Sequence, residues 1–126
     1  MNIPENLKYT KEHEWILVEG NTATIGITDY AQSELGDVVY LDIDSDLTEI
    51  VKGETFGTIE AVKTVSDIFG PFNGNIIEIN NALTESPELI NTDPYGKGWM
   101  IKAKIKNTSD LNELLDSKAY KELIGQ

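Results

Sequence analysis

Short runs of strand-forming residues, separated by turn-forming ones, most strongly constrain how this chain can fold. Trp15–Val18 and Thr22–Ile27 are rich in β-branched and aromatic residues, and Glu19-Gly-Asn21 between them predicts a hairpin turn. Similar runs follow at 38–43, 56–61, 65–69, 75–80 and 99–105. About seven short strands with frequent turn signals indicate a mainly β fold, either a sandwich or a flattened β-barrel.

The predicted helices are small and peripheral. Thr28 or Asp29 is expected to cap a helix over 31–35, which Gly36 ends as a left-handed residue. Ser86-Pro87 indicates a helical turn within a long polar stretch, and Asp110 is expected to cap a helix toward Leu115, followed by a second helix over 117–124. We expect one domain over 1–126, with a barrel core at about 14–106 and C-terminal helices at about 109–125.

The charge balance narrows the range of partners. The chain has 126 residues and a net charge of −12, from 10 basic and 22 acidic residues, and all the basic residues are lysines. An acidic surface repels phosphate backbones and anionic lipid, so nucleic acid and membranes are not expected as partners, whereas basic protein surfaces are. No apolar run approaches the roughly 20 residues of a membrane span, and the first residues lack the features of a targeting segment. A cytoplasmic location is therefore expected, with a mature form whose presequence has been removed as the alternative.

The absence of cysteine excludes disulfides, thiolate metal sites and cysteine nucleophiles. The single histidine, His13, lies between Glu12 and Glu14 and cannot build a zinc site alone. No nucleophile turn of the G-x-S-x-G kind is present, so His13 is interpreted as an ordinary solvated residue. These absences argue against most kinds of hydrolytic enzyme and against a metal site, and any thiol chemistry must come from a cofactor.

Lys63 lies between two predicted strands, and a two-residue loop of Lys63 and Thr64 would join them. That register places Glu60 directly opposite Asp67, and two like charges in this position destabilise a strand pair. A lysine in a turn is usually only a solvated charge with loosely associated acids. The spacing alone therefore leaves open whether Lys63 is functional.

The segment Glu60-Ala-Val-Lys-Thr-Val-Ser-Asp67 closely resembles the lipoyl-lysine segment of the H proteins of the glycine cleavage system. Further blocks resemble the family in the same order, at Lys11–Trp15, Gly26–Gln32, Gly53–Gly57 and Asp93–Met100. The resemblance covers nearly the whole chain. It implies a single lipoyl-carrier domain with the flattened barrel or sandwich of lipoyl and biotinyl carriers and the lipoyl lysine at a hairpin tip.

The resemblance also implies a carrier that is not itself an enzyme and has no catalytic residue, with a function in glycine catabolism and one-carbon metabolism. Lys63 would carry lipoic acid as an amide, and Glu60 would help the lipoate-attaching enzyme to recognise the hairpin. The carrier would receive an aminomethyl group from the pyridoxal-phosphate-dependent glycine decarboxylase and pass its methylene to a tetrahydrofolate-dependent aminomethyltransferase. Dihydrolipoyl dehydrogenase would then reoxidise the lipoyl group.

Several alternatives remain open at this point. The chain could donate lipoate to 2-oxo acid dehydrogenases in a lipoyl relay, or be a cofactor-free β interaction module. A biotin carrier and the lipoyl domain of a 2-oxo acid dehydrogenase are further alternatives. Biotin carriers favour methionine on both sides of the lysine, whereas Val62 and Thr64 stand there in this chain. A dehydrogenase subunit would be expected to continue into a linker and a catalytic domain. The chain departs from the usual family pattern at Ala61, at Gly70 and at Asp44-Ser45.

Overall fold

The computed structural model describes residues 1–126 and confirms the prediction of a mainly β fold. The nine strands are β1 (Lys8–Tyr9), β2 (Glu14–Glu19), β3 (Thr22–Ile27), β4 (Val38–Asp42), β5 (Glu49–Ile50), β6 (Thr55–Ala61), β7 (Val65–Phe69), β8 (Gly74–Ile79) and β9 (Ile101–Ile105). The helices are α1 (Asp29–Leu35), α2 (Ala82–Glu85), α3 (Leu89–Thr92), a 3₁₀ helix (Thr108–Glu113) and α4 (Ser117–Leu123). The longest helices, α1 and α4, have seven residues, and no helix is long and apolar enough to cross a membrane.

The strands form two antiparallel sheets that share one core. The larger sheet has the order β1-β2-β3-β9-β8-β5, and the smaller has the order β4-β6-β7. Seventeen buried residues form the main core, and they include Ile25 of the larger sheet and Ile59 of the smaller one. The two sheets pack face to face without closing into a barrel, which is the sandwich form of the predicted architecture.

Alternation along the strands explains why they bury one face. In β9, Ile101, Ala103 and Ile105 are buried, while Lys104 between them is exposed. This period of two is typical of a half-buried strand. The two strands that the sequence analysis missed, β1 and β5, have two residues each and are too short to show a period.

The ends of α1 agree with the sequence, whereas the 3₁₀ helix begins earlier than predicted. Thr28 caps α1 by accepting a hydrogen bond from the Ala31 amide, and Gly36 follows the helix with φ 78°. Asn107, not Asp110, caps the 3₁₀ helix, because the carboxylate of Asp110 instead accepts a hydrogen bond from the Asn73 amide at 3.1 Å. The sequence pattern did not reveal this long-range contact, so the predicted cap at Asp110 was wrong.

The helical turn predicted to start at Ser86-Pro87 is confirmed. The Leu89 amide donates to the Ser86 carbonyl and the Ile90 amide donates to the Pro87 carbonyl, both at 3.1 Å, and this turn leads into α3.

A second cluster of five buried residues joins the two ends of the chain. It contains Ile3, Leu7, Tyr9, Trp15 and Tyr120. The rings of Tyr9 and Tyr120 stack with centroids 4.6 Å apart, and the indole N–H of Trp15 donates to the Pro94 carbonyl at 2.9 Å. This cluster fixes α4 against the larger sheet.

Candidate functional site

Lys63 lies at the tip of the hairpin formed by β6 and β7, and its side chain is exposed. The Ala61 amide donates to the Thr64 carbonyl at 2.9 Å, so these two residues close the turn. Val62 and Lys63 are therefore the two turn residues, in place of the predicted pair Lys63 and Thr64. Both arrangements present Lys63 at the tip.

The register of this hairpin differs from the predicted one by two residues. Glu60 lies opposite Val65, and Thr58 lies opposite Asp67. The Thr58 hydroxyl donates to the Asp67 carboxylate at 3.4 Å. The predicted opposition of Glu60 and Asp67 is therefore wrong, and the repulsion between directly opposed carboxylates is avoided. A slip of two residues leaves every side chain on its own face, so the apolar alternation does not distinguish these registers.

The hairpin tip is bonded to the loop between α1 and β4. The Val62 amide donates to the Asp37 carbonyl at 2.9 Å. Asn91 of α3 bonds to both ends of this loop. Its side-chain oxygen accepts a hydrogen bond from the Val38 amide at 2.8 Å, and its NH₂ group donates to the Gly36 carbonyl at 2.9 Å. Asn91 could not be predicted as part of the site, since no local motif links it to residues more than fifty positions earlier.

The aliphatic stem of Lys63 lies across Gly36. A Cβ atom added to Gly36 would lie 3.3 Å from Cγ of Lys63, so the stem passes close to this backbone. Lys63 takes part in none of the three ion pairs of the structure. Neutralising its charge therefore breaks no ion pair.

A cavity of about 260 Å³ lies between α1 and β7, beside the hairpin. Half of its twelve lining residues are hydrophobic, and the polar part of the lining includes four carboxylates, those of Glu12, Glu14, Glu34 and Asp67, together with His13. Glu14 is 2% exposed, and the Thr10 hydroxyl donates to its carboxylate at 2.6 Å. Burial raises the pKa of Glu14 to about 7, although hydrogen bonds from Thr10 and from the Phe69 backbone act in the opposite direction.

His13 is not the ordinary solvated residue that the sequence analysis expected. It is half-buried, has φ 72°, and its Nδ1 shares a hydrogen bond of 2.9 Å with the Tyr120 hydroxyl. Its ring also lies 5.0 Å from that of Tyr30. Burial lowers the pKa of His13, and the nearby carboxylates of Glu12 and Glu34 oppose this effect. The contact with Tyr120 spans 107 positions, so no local sequence pattern could reveal it.

Comparison with known proteins identifies the family of this chain. The profile of the family described as Glycine cleavage H-protein matches residues 7–126. The chain belongs to this family. Two relatives named glycine cleavage system H protein, from Bacteroides fragilis and Bacteroides thetaiotaomicron, are 56% and 58% identical over 125 residues, and each alignment covers 99% of both chains. A third, from Staphylococcus carnosus, is 51% identical over 126 residues and covers 100% of both chains.

The fold agrees with the same assignment. The crystal structure of a glycine cleavage system H protein from Mycobacterium marinum superposes with a TM-score of 0.89, at 35% identity, covering 98% of this chain and 100% of the other. Glycine cleavage H proteins are lipoyl carriers and not catalysts, so the prediction of a non-enzymatic lipoyl carrier is confirmed. Membership in this family also implies the other enzymes of the system as partners.

Proposed function

We propose that this chain carries lipoic acid as an amide on Lys63 and moves it among the enzymes of glycine cleavage. The observation that carries the proposal is an exposed lysine at a hairpin tip whose backbone is bonded to a neighbouring loop. A carrier needs its attachment point on a rigid element, because partner active sites must find the arm in a reproducible position.

The residues around Lys63 fit a lipoyl group. The lysine takes part in no ion pair, so converting its ammonium to a neutral amide removes no attraction within the chain. When bound, lipoic acid supplies a reducible disulfide and a sulfur able to carry a one-carbon amine, which is chemistry that a chain without cysteine lacks. Lys63 supplies the anchoring nitrogen, and Val62 fixes the backbone beside it through Asp37.

The acidic cavity beside the hairpin suits a cargo that carries a protonated amine. Its lining reaches Leu35, which directly precedes the Gly36 backbone that the Lys63 stem crosses. Asp67 and Glu34 present carboxylates there, while Glu14 is half-ionised near neutral pH because of its raised pKa. These carboxylates favour a cation over a neutral group in the same space.

The partners of the proposed carrier are glycine decarboxylase, aminomethyltransferase, dihydrolipoyl dehydrogenase and a lipoate-attaching enzyme, all reached in the cytoplasm. Glu60 serves in recognition by the lipoate-attaching enzyme. The net charge of −12 supports transient docking to basic partner surfaces, because complementary charge raises association rates more than it raises affinity. The whole of 1–126 acts as one lipoyl-carrier domain.

Exchange of labelled carbon dioxide with the carboxyl group of glycine, catalysed by glycine decarboxylase, tests the proposal. The lipoylated chain is expected to support exchange, and Lys63→Arg is expected to abolish it although the arginine keeps the charge. Lys97→Arg is the matched control, because Lys97 is exposed and lies outside the hairpin. Exchange supported by Lys63→Arg at the wild-type rate would refute the proposal.

A further inference from the structure

An exposed apolar patch surrounds the base of the Lys63 side chain. Eight large apolar side chains are exposed in the structure, and four of them, Val39, Tyr40, Val62 and Val65, belong to β4 or to the β6–β7 hairpin. We call these four residues the tip patch. Val62 is 71% exposed and Val65 is 61% exposed, so neither valine of the hairpin fills the core. Clustered apolar side chains on a surface mark interaction sites more often than scattered ones do.

The smaller sheet holds the tip patch together. Tyr40 lies opposite Glu60 on the neighbouring strand, and Glu60 lies opposite Val65 on the third. Directly opposed residues share a face, so these three side chains form one row across the sheet. The register shifts between Val38 and Tyr40, and the extra residue Val39 is exposed together with Tyr40. A β-bulge of this kind changes the direction of side chains, and such bulges are common beside functional sites.

The charges around the tip patch define the kind of partner it fits. Between positions 28 and 72 the only basic residues are Lys52 and Lys63, against ten acidic residues. Lys52 is paired with Glu113, so Lys63 is the unpaired cation of this region. Exposed Asp42, Glu60 and Asp67 lie on the strands of the smaller sheet. A complementary surface has an apolar centre and arginine or lysine at its rim.

We propose that the tip patch docks the enzyme that acylates Lys63. The inference rests on the proposed function and deepens it by naming the docking surface. A lysine side chain has only a four-carbon stem, so the acylating active site must close around the hairpin itself. The enzymes that act on the finished carrier meet the far end of a longer arm and need not cover this face. The acylating enzyme is therefore the partner that buries the apolar surface of the tip patch. This burial explains why valines and a tyrosine surround Lys63.

The reaction at the docked surface balances as a simple acyl transfer. The Lys63 ammonium loses one proton, and its nitrogen attacks the carbonyl carbon of an activated lipoyl group, either a mixed acyl anhydride or a thioester. The new C–N bond forms while the bond to the leaving group breaks and its electron pair departs with that group. A second proton then leaves the nitrogen, which gives a neutral amide.

Lipoylation kinetics of the full-length apo protein test the docking surface. The polar double variant Tyr40→Thr/Val65→Thr removes apolar area while keeping good strand formers, and kcat/KM is expected to fall about tenfold, mainly through KM. The apolar double variant Tyr40→Phe/Val65→Ile is expected to stay within about twofold of the wild type. Ile77→Thr, an exposed position on the larger sheet, is the matched control and is expected to have no effect.

Two further measurements separate docking from other effects. Acylation of Lys63 by acetic anhydride is expected to proceed equally in all variants, because that reagent needs no docking surface. Holo forms of the variants are expected to support glycine decarboxylase exchange like the wild type. Equal lipoylation of the polar and apolar double variants would overturn the inference. The inference would also be overturned if the polar double variant lost only the decarboxylase exchange activity. It would be overturned as well if the wild type formed a dimer that the polar substitutions dissociate.

Lipoylation of the wild-type chain separates the docking surface from the proposed function. A wild-type chain that receives no lipoyl group refutes the proposed function. A wild-type chain that is lipoylated at the same rate as the polar double variant refutes only the docking surface.

Discussion

The backbone N–H of Val62 donates to the carbonyl oxygen of Asp37 over 2.9 Å, so the residue beside Lys63 is bonded to the loop that follows α1. Asn91 bonds to both sides of Asp37, at Gly36 and at Val38. The lysine therefore stands on a supported turn and not on a free hairpin end. A supported attachment point limits the space that a tethered group explores, which raises its effective concentration at a docked active site.

Asn91→Ala is expected to loosen this support. The substitution removes hydrogen bonds to Val38, Gly36 and Gln32, and the free energy of unfolding should fall by about 2 kcal/mol. Amide exchange at Val62 should become faster by a larger factor than amide exchange in β3. Denaturant unfolding and hydrogen exchange measure the two effects.

Asn81→Ala is the matched control for Asn91, since Asn81 is exposed and its side chain makes no capping bond. It should leave both quantities unchanged. Unaltered exchange at Val62 in Asn91→Ala would show that Asn91 does not support the tip.

Glu60→Ala is expected to slow lipoylation without lowering stability. Glu60 is exposed and takes part in none of the ion pairs, so its removal should change the free energy of unfolding by less than about 0.5 kcal/mol. Thermal melting and a lipoylation time course measure the two effects. Glu54→Ala, an exposed acid just before β6, should lipoylate normally. A large loss of stability in Glu60→Ala would identify Glu60 as a structural residue.

Glu14 should make the protein less stable as pH rises from 4.5 to 7. Burial raises the pKa of Glu14 from 4.5 to about 7, so the folded chain keeps a proton that the unfolded chain loses. The resulting decrease in the free energy of unfolding is absent below pH 4.5 and complete above pH 7, and it amounts to about 3 kcal/mol. Glu14→Gln removes the titrating group and can still accept the Thr10 hydrogen bond. It should therefore be more stable than the wild type at pH 8.

Urea unfolding of both proteins at pH 4.5 and pH 8 measures this difference. Glu54→Gln provides the control, because Glu54 is exposed and is not among the groups that shift the pKa of Glu14, so it should leave the pH dependence of the wild type nearly unchanged. A constant difference in stability between Glu14→Gln and the wild type at both pH values would contradict the assignment.

Much of the fold was predictable because alternation and turn residues are local signals. The strands of the smaller sheet, the cap at Thr28 and the left-handed Gly36 all follow from residues close together in sequence. β1 was missed because its two residues are held by pairing with β2, and Tyr9 also bonds to distant Leu115. Short edge strands depend on partners more than on their own composition.

The candidate site was predictable in its lysine but not in its surroundings. Lys63 stands out through a motif, and its exposure at the tip follows from the turn. The hairpin register did not follow, because a slip of two residues preserves the apolar face and only the turn geometry selects between registers. Asn91 and Tyr120 reach the site from positions far along the chain, so their contacts with Gly36 and His13 required the folded structure.

Intact-mass analysis of the chain produced in lipoate-sufficient cells, with peptide mapping, tests directly whether Lys63 carries lipoic acid. We expect one added lipoyl group per chain, located on Lys63, and no added mass in Lys63→Arg. A biotinyl group, a lipoyl group on another lysine, or an unmodified Lys63 in the presence of an active lipoate-attaching enzyme would contradict it.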